Sequence, residues 1–328
     1  DSVASRGLGD VYKRQDLDTG IDDALALAYA LASPEAELIG VTCTYGNVLV
    51  EDSVRNTLAI LELFGRTDVP VFAGPGHASA QSSFEVQEIS AFIHGKNGIG
   101  EVEIPDAQRE VEQLSAVDFL VESVERYGDE LVIVPTGPST TIAAAIEASN
   151  VFRENANIVM MGGALTVPGN VNGWSEANIY QDPEAADKVF RQLRNVTMIG
   201  LDVTLQTLLT TKETAEWSKL GTVGGNFLAD ITNYYINAYK TTSPHLGGCG
   251  LHDPLAVAVA INPGLVDTLG INMKVDTQEP TRGRTIGDET RLNDPDKHAA
   301  VAVRVDTAAF LEQFMNRLSV LAQSTPVV

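Results

Sequence analysis

The chain has 328 residues, 44% of them hydrophobic, with 22 Lys and Arg against 44 Asp and Glu, a formal charge of −22. Such a chain can bury a sizeable core, while its acidity excludes a nucleic-acid-binding surface and disfavours docking on anionic lipid. The two cysteines, Cys43 and Cys249, form no CxxC pair and read as buried thiols of a reducing, cytoplasmic compartment; no run of about 18 apolar residues points to a membrane span.

Residues 1–15 show no period of two or 3.6 and no apolar core of the signal-peptide kind. They read as an atypical N-terminal segment, a flexible tail or a replaced first strand, ahead of one domain over 16–328. Residues 22–32 are Ala, Leu and Tyr almost all round, the pattern of a buried helix, stopped by Ser33-Pro34. A buried strand follows over 37–44, an amphipathic helix over 52–64 and a short strand over 69–73. A Gly- and Ser-rich loop then runs to Gly100. The alternation continues with a helix over 116–127, a strand over 130–135, an alanine-rich helix to Ser149, a strand over 156–161, a helix over 183–193 and a strand over 196–201. Residues 211–262 read as mainly helical, 271–275 and 300–305 as late antiparallel strands, and 308–322 as a C-terminal helix. Strands alternating with helices predict an α/β fold, an open and mostly parallel sheet with helices on both faces. Ligands of such sheets bind at the carboxyl ends of the strands. Asn47, Thr136 and the loop 162–178 all follow strand patterns, which predicts one pocket built from several separate loops.

The densest chemistry is Asp16-Leu17-Asp18-Thr19-Gly20-Ile21-Asp22-Asp23, four carboxylates in eight positions. Repulsion makes this costly unless a cation or a proton relieves it. Carboxylates without Cys or His suit a hard ion such as Ca²⁺ or Mg²⁺. An EF-hand is excluded, because counting from Asp16 the loop has Ile21 and Leu27 where that motif needs Gly and Glu. A haloacid-dehalogenase-like phosphatase with Asp16 as nucleophile fits in part, but Gly20 stands where its pattern wants Thr. The bland alternative is an acidic turn complementing a helix dipole, which explains Asp22 and Asp23 but not Asp16 and Asp18.

Three further stretches stand out. In Leu251-His252-Asp253-Pro254, Asp253 reads either as a helix N-cap or as another metal ligand, with His252 as an acid near a leaving group. Asn170, Glu176 and Asn178 put three hydrogen-bonding side chains in one loop, suited to a polyhydroxylated ligand; Asp182 reads as the cap of a helix starting at Pro183. His94-Gly95-Lys96-Asn97-Gly98-Ile99-Gly100 reads as a mobile lid or a plain surface loop.

Taken in order, these stretches resemble the calcium-dependent nucleoside hydrolases, the inosine–uridine-preferring N-ribohydrolases. The motifs are D-x-D-x-G-I-D-D-A at 16–24, GN at 46–47, HGxxG at 94–98, PTGP at 135–138, MGG at 161–163, GN…E-x-N over 169–178, LDVT at 201–204 and HDP at 252–254. The resemblance implies hydrolysis of ribonucleosides to ribose and free base. It implies Ca²⁺ held by Asp18, Asp23, Asp253 and the Thr136 carbonyl, with Asp16 supporting from behind. It implies Asp22 as the base on a calcium-bound water and His252 as the leaving-group acid. Asn47, Met161, Asn170, Glu176 and Asn178 would meet the ribose, His94 the base side. Tyr235 and Tyr239 would close over the nucleobase or form a packed aromatic pair. The implied assembly is a homodimer or homotetramer. A catalytically silent nucleoside-binding protein is the non-enzyme rival. The sequence departs from the family pattern at Thr19, where proline is usual, at Ser139-Thr140-Thr141, where Leu-Thr-Asn is usual, and at Ala177, where an aromatic is common. Trp174 and Trp217 do not obviously form a stacking pair for purines, which leans the reading towards broad or inosine/uridine use.

Overall fold

The computed structural model describes residues 11–328. The alternating strand and helix patterns fold into strands β1 (Val11–Leu17), β2 (Ala36–Cys43), β3 (Val71–Ala73), β4 (Leu131–Pro135), β5 (Asn157–Met161), β6 (Asn195–Ile199), β7 (Leu208–Leu209), β8 (Cys249–Gly250), β9 (Val266–Ile271), β10 (Met273–Val275), β11 (Thr285–Gly287) and β12 (Ala299–Val305).

 The helices are α1 (Ile21–Leu31), α2 (Val50–Leu63), α3 (Glu88–His94), α4 (Ala116–Tyr127), α5 (Thr140–Ala148), α6 (Asn150–Asn155), α7 (Ala177–Gln181), α8 (Pro183–Gln192), α9 (Leu201–Thr204), α10 (Thr211–Ser218), α11 (Val223–Thr242), α12 (His252–Ile261) and α13 (Thr307–Gln323). Eight strands form one sheet in the order β3-β2-β1-β4-β5-β6-β12-β9, parallel throughout except for β9 against β12. One apolar core packs α1, α11, α12 and α13 around Leu17, Leu25, Phe310 and Phe314, and a second packs α4, α5, α6 and α8 around Ile133, Phe152, Ile158 and Phe190.

The structure departs from the sequence expectation in three places. Residues 11–17 form a strand although they lack a strand pattern, and this strand lies between β2 and β4. A ladder on each side supplies the hydrogen bonds that local propensity does not specify. Residues 1–10, the rest of the segment read as a tail or a replaced strand, lie outside the described residues. The late strands are not simply antiparallel. β12 runs parallel to β6, while residues 271–275 split between β9 and the separate β10–β11 hairpin. The Gly- and Ser-rich stretch before Gly100 contains α3.

The register explains why distant loops meet. Leu17 is level with Cys43 and Asp16 with Pro135, so the chain leaves β1, β2 and β4 side by side at their carboxyl ends. Met161 is likewise level with Ile199. The loops that follow open on one edge of the sheet, as parallel α/β architecture requires.

Candidate active site

At that edge lies a cavity of about 430 Å³ lined by Asp22, Asn47, His94, Thr136, Met161, Asn170, Glu176, Asn178, Tyr235, Tyr239, His252 and Asp253. Twelve residues singled out from sequence therefore share one wall system. Asp16, Asp18 and Asp23 do not line the cavity; each is 0% exposed.

Close backbone approach builds the floor. A Cβ on Gly20 would lie 2.6 Å from both Asn47 Nδ2 and His94 Nδ1. One on Gly46, where φ is +156°, would lie 2.0 Å from Asp18 Oδ2. Only glycine admits this packing. Asp18 Oδ2 accepts from Asn47 N–H at 2.7 Å, and Asp23 accepts from Gly20 N–H at 2.8 Å, Thr136 Oγ1 at 2.7 Å and Asn47 Nδ2 at 3.3 Å. Thr19 Oγ1 meets the hydroxyls of Ser53 and Thr57 at 3.0 and 2.8 Å, so side-chain bonds anchor the loop where the family usually has proline. The helix-dipole alternative covers only part of this: Asp23 does cap α1, but it is also bonded to residues of two other loops.

The carboxylates of Asp22, Asp23 and Asp253 offer oxygens that all lie within 4.8 Å of one another. Asp253 is not an N-cap. Leu251 holds that position on α12 and Asp253 falls in its first turn. Burial first, then neighbouring carboxylates, push Asp18 and Asp253 well above the usual carboxylate range, and burial with Asp23 pushes Asp22 up to about 7. Asp18 Oδ1 and Asp22 Oδ1 are buried without a hydrogen-bond partner, and among the described residues no Lys or Arg lines the cavity. An all-oxygen donor set with orphaned anionic oxygens fits a hard divalent cation. The Thr136 carbonyl already accepts from Asn178 Nδ2 at 2.6 Å and keeps a second lone pair.

A hydrogen-bonded line crosses the other wall. His252 Nδ1 meets Thr204 Oγ1 at 2.7 Å and its Nε2 meets Tyr239 Oη at 2.7 Å. Tyr239 Oη is 3.5 Å from Tyr235 Oη, which donates to Asp22 Oδ2 at 3.2 Å. The tyrosines are an edge-to-face pair with centroids 4.9 Å apart, and both also line the cavity. Burial brings His252 down to about 4, so its imidazole is neutral at pH 7. His94 is brought down to about 3 by burial and by His252. Its Nδ1 accepts from Ile21 N–H at 3.1 Å, which leaves the ring proton on Nε2. His94 thus caps α1 as well as facing the cavity. The turn after it is packed rather than lid-like: Gly98, Ile99 and Gly100 are buried, and Asn56 Nδ2 donates to Asn97 O at 2.7 Å.

On the sugar-loop side, Glu176 caps α7 and its carboxylate takes the N–H groups of Gly163, Asn178 and Ile179. Asn170 Oδ1 takes Ala177 N–H at 3.0 Å. Trp217 is fully buried in the core, Trp174 Nε1 donates to Arg282 O at 3.3 Å, and neither lines the cavity. Asp16 accepts from Thr42 Oγ1 at 2.8 Å, buried behind the acidic loop, which leaves a phosphatase nucleophile no access to substrate.

Sequence reasoning missed Gln87, Ile89, Ser90 and Ile93 on and beside α3, and Val171, Tyr180 and Gln181 near α7, all of which line the cavity. The apolar spacing Ile89, Phe92, Ile93 just before His94 was the available signal for α3. Thr204 was missed as the partner of His252, although its LDVT motif was seen.

The model of the family described as inosine-uridine preferring nucleoside hydrolase matches residues 15–312. The chain belongs to that family. Among solved structures, a purine-preferring ribonucleoside hydrolase from Gardnerella vaginalis superposes with a TM-score of 0.94 at 63% identity, covering 95% of this chain and 99% of that one. A plant nucleoside hydrolase superposes at 0.88 with 31% identity, covering 95% and 99%. Uridine nucleosidase 1 of Arabidopsis thaliana is 36% identical over 275 residues, 84% of this chain and 81% of that protein. As a member of the nucleoside hydrolases the chain is a ribonucleoside hydrolase, and the phosphatase and silent-binder readings are not favoured. Among the described residues no helix is long and apolar enough to cross a membrane.

Proposed function

We propose that the chain cleaves the N-glycosidic bond of purine and pyrimidine ribonucleosides with the help of Ca²⁺ held by Asp18, Asp23, Asp253 and the Thr136 carbonyl. The observation that carries this is the buried carboxylate cluster with two orphaned oxygens at the floor of a nucleoside-sized cavity. When bound, such a cation would acidify a water and orient the ribose diol. Asp22 Oδ1, which has no hydrogen-bond partner, takes the proton of the attacking water. The carboxylates around it stabilise the positive charge that builds on the ribosyl ring in an oxocarbenium-like transition state. Asn47, Asn170, Glu176 and Asn178 hold the sugar, and Met161 packs against it.

The leaving base takes a proton from the His252 end. A neutral imidazole is a poor proton reservoir on its own, so its bond to Tyr239 matters. The line His252–Tyr239–Tyr235–Asp22 closes the balance: the proton that Asp22 takes from water passes to Tyr235, the Tyr235 proton to Tyr239 and the Tyr239 proton to His252, so that the imidazole ends neutral after protonating the base. Replacing His252 with Ala is expected to lower kcat on inosine by about 10²-fold or more while sparing nitrophenyl riboside, whose leaving group needs no proton. Equal losses on the two substrates would remove His252 from that role.

The relatives divide by name between purine and uridine use. The neighbour at 63% identity is the purine-preferring one, and this supports a broad range with purines favoured. A panel of inosine, adenosine, guanosine, uridine and cytidine, each with Ca²⁺ and with chelator, tests both parts. Higher kcat/KM on uridine than on inosine would overturn the preference. Turnover indifferent to chelation would overturn the cation.

A further inference from the structure

Asp182 is fully buried and does not line the cavity. It joins α7 to α8. Its Oδ1 accepts from Ala185 N–H at 3.0 Å, which is the expected cap of α8. Its Oδ2 does more than capping requires: it accepts from Thr140 Oγ1 at 2.8 Å and from Ser79 twice, N–H at 2.9 Å and Oγ at 2.8 Å. The Thr140 hydroxyl also meets Tyr45 Oη at 2.9 Å, and the Tyr45 ring packs on Phe84 with centroids 4.7 Å apart.

These contacts join two walls of the cavity. Ser79 and Phe84 belong to the segment that leads into α3, which contributes Ile89, Ser90 and Ile93 to the lining. On the other side Asp182 directly follows α7, which contributes Ala177, Asn178 and Tyr180. The far end of α3 is pinned separately, by His94 on Ile21. The bonds of Ser79 to Asp182 and the packing of Phe84 on Tyr45 tie the near end of α3 to the rest of the fold.

We propose that Asp182 and Ser79, backed by Thr140 and the Tyr45–Phe84 ring pair, form a cross-tie that sets the separation of the α3 and α7 walls and so the fit of the bound nucleoside. These are positioning residues. None touches the carboxylate cluster, so the tie acts on substrate affinity and not on the bond-breaking step. The proposal rests on the ribonucleoside hydrolase reading.

The test is steady-state kinetics on inosine. Ser79 is exposed, so Ser79→Ala removes one hydrogen bond with little risk to folding. It is expected to raise KM by about 3- to 10-fold with kcat within about twofold. Ser79→Thr keeps the hydroxyl and is expected to restore the wild-type KM. Phe84→Ala, which loosens the second tie, should raise KM in the same direction. KM unchanged in both Ser79→Ala and Phe84→Ala, or a fall in kcat at constant KM, overturns the cross-tie. A wild-type protein that cleaves no ribonucleoside would instead overturn the activity on which it rests.

Discussion

Asp22→Asn is expected to lower kcat on inosine by about 10³-fold, within the range that loss of a general base produces. The two oxygens of Asp22 have different surroundings. Oδ2 accepts from Tyr235 Oη, while Oδ1 is buried, unpartnered and 3.8 Å from His94 Nδ1. That nitrogen already accepts from Ile21 N–H, so it cannot also donate to Oδ1, and the pair is not an ion pair. Oδ1 is thereby left as a basic atom on the cavity wall. Asparagine keeps the shape and the bond from Tyr235 but cannot hold the proton. Asp22 also belongs to the tight trio with Asp23 and Asp253, so a role as cation ligand competes with a role as base. Two measurements on the same variant separate them. A base alone loses turnover and keeps the rise in Tm on adding Ca²⁺. A ligand loses both. Turnover within tenfold of wild type would exclude Asp22 from either role.

Much of this arrangement was legible in the sequence because chemistry and topology pointed the same way. The alternation of elements specifies the sheet's class, and placement at strand ends is enough to bring Asn47, Thr136 and Asn178 to one pocket. β1 was illegible for a physical reason. Val11-Tyr12-Lys13-Arg14-Gln15 has no apolar alternation, and its state is imposed by the ladders on either side. Gln15 shows the cost: it is 1% exposed with neither amide atom hydrogen-bonded. α3 was obscured by its length, since the spacing of Ile89, Phe92 and Ile93 that signals it covers little more than one turn beside the glycines and serines before it. The second function of Asp182 was equally out of reach. The Asp-Pro pair announces a helix cap, but nothing local announces Ser79, 103 residues away. Capping logic also misled at Asp253, where Pro254 suggested a helix start two residues later than the one observed.

Chelation by EGTA is expected to abolish turnover and to change how stability depends on pH. The cation-free carboxyls of Asp16 and Asp22 sit at about 7 against 3.8 when unperturbed, chiefly through burial. Asp18, Asp23 and Asp253 are raised as well. A folded-state value above the unfolded one means that the native state holds the proton more tightly. The stability this contributes is complete below about 3.8 and is lost as pH rises through about 7. His94 and His252 act in the opposite sense. Their values fall from 6.5 to about 3 and about 4, so their contribution is present above 6.5 and lost as pH falls towards those values. Five raised carboxyls outweigh two depressed imidazoles, and the chelated protein should lose stability from pH 5 to pH 7. A divalent cation binds the ionised cluster and removes that loss. Ca²⁺ at a hundred times its Kd adds about 2.7 kcal/mol of stability, and its effect should grow with pH as protons cease to compete. Thermal unfolding at pH 5, 6, 7 and 8, with EGTA and with Ca²⁺, measures this directly. A difference in Tm that widens with pH places the cation among the carboxylates. A difference that is constant across the range, or absent, removes it from them.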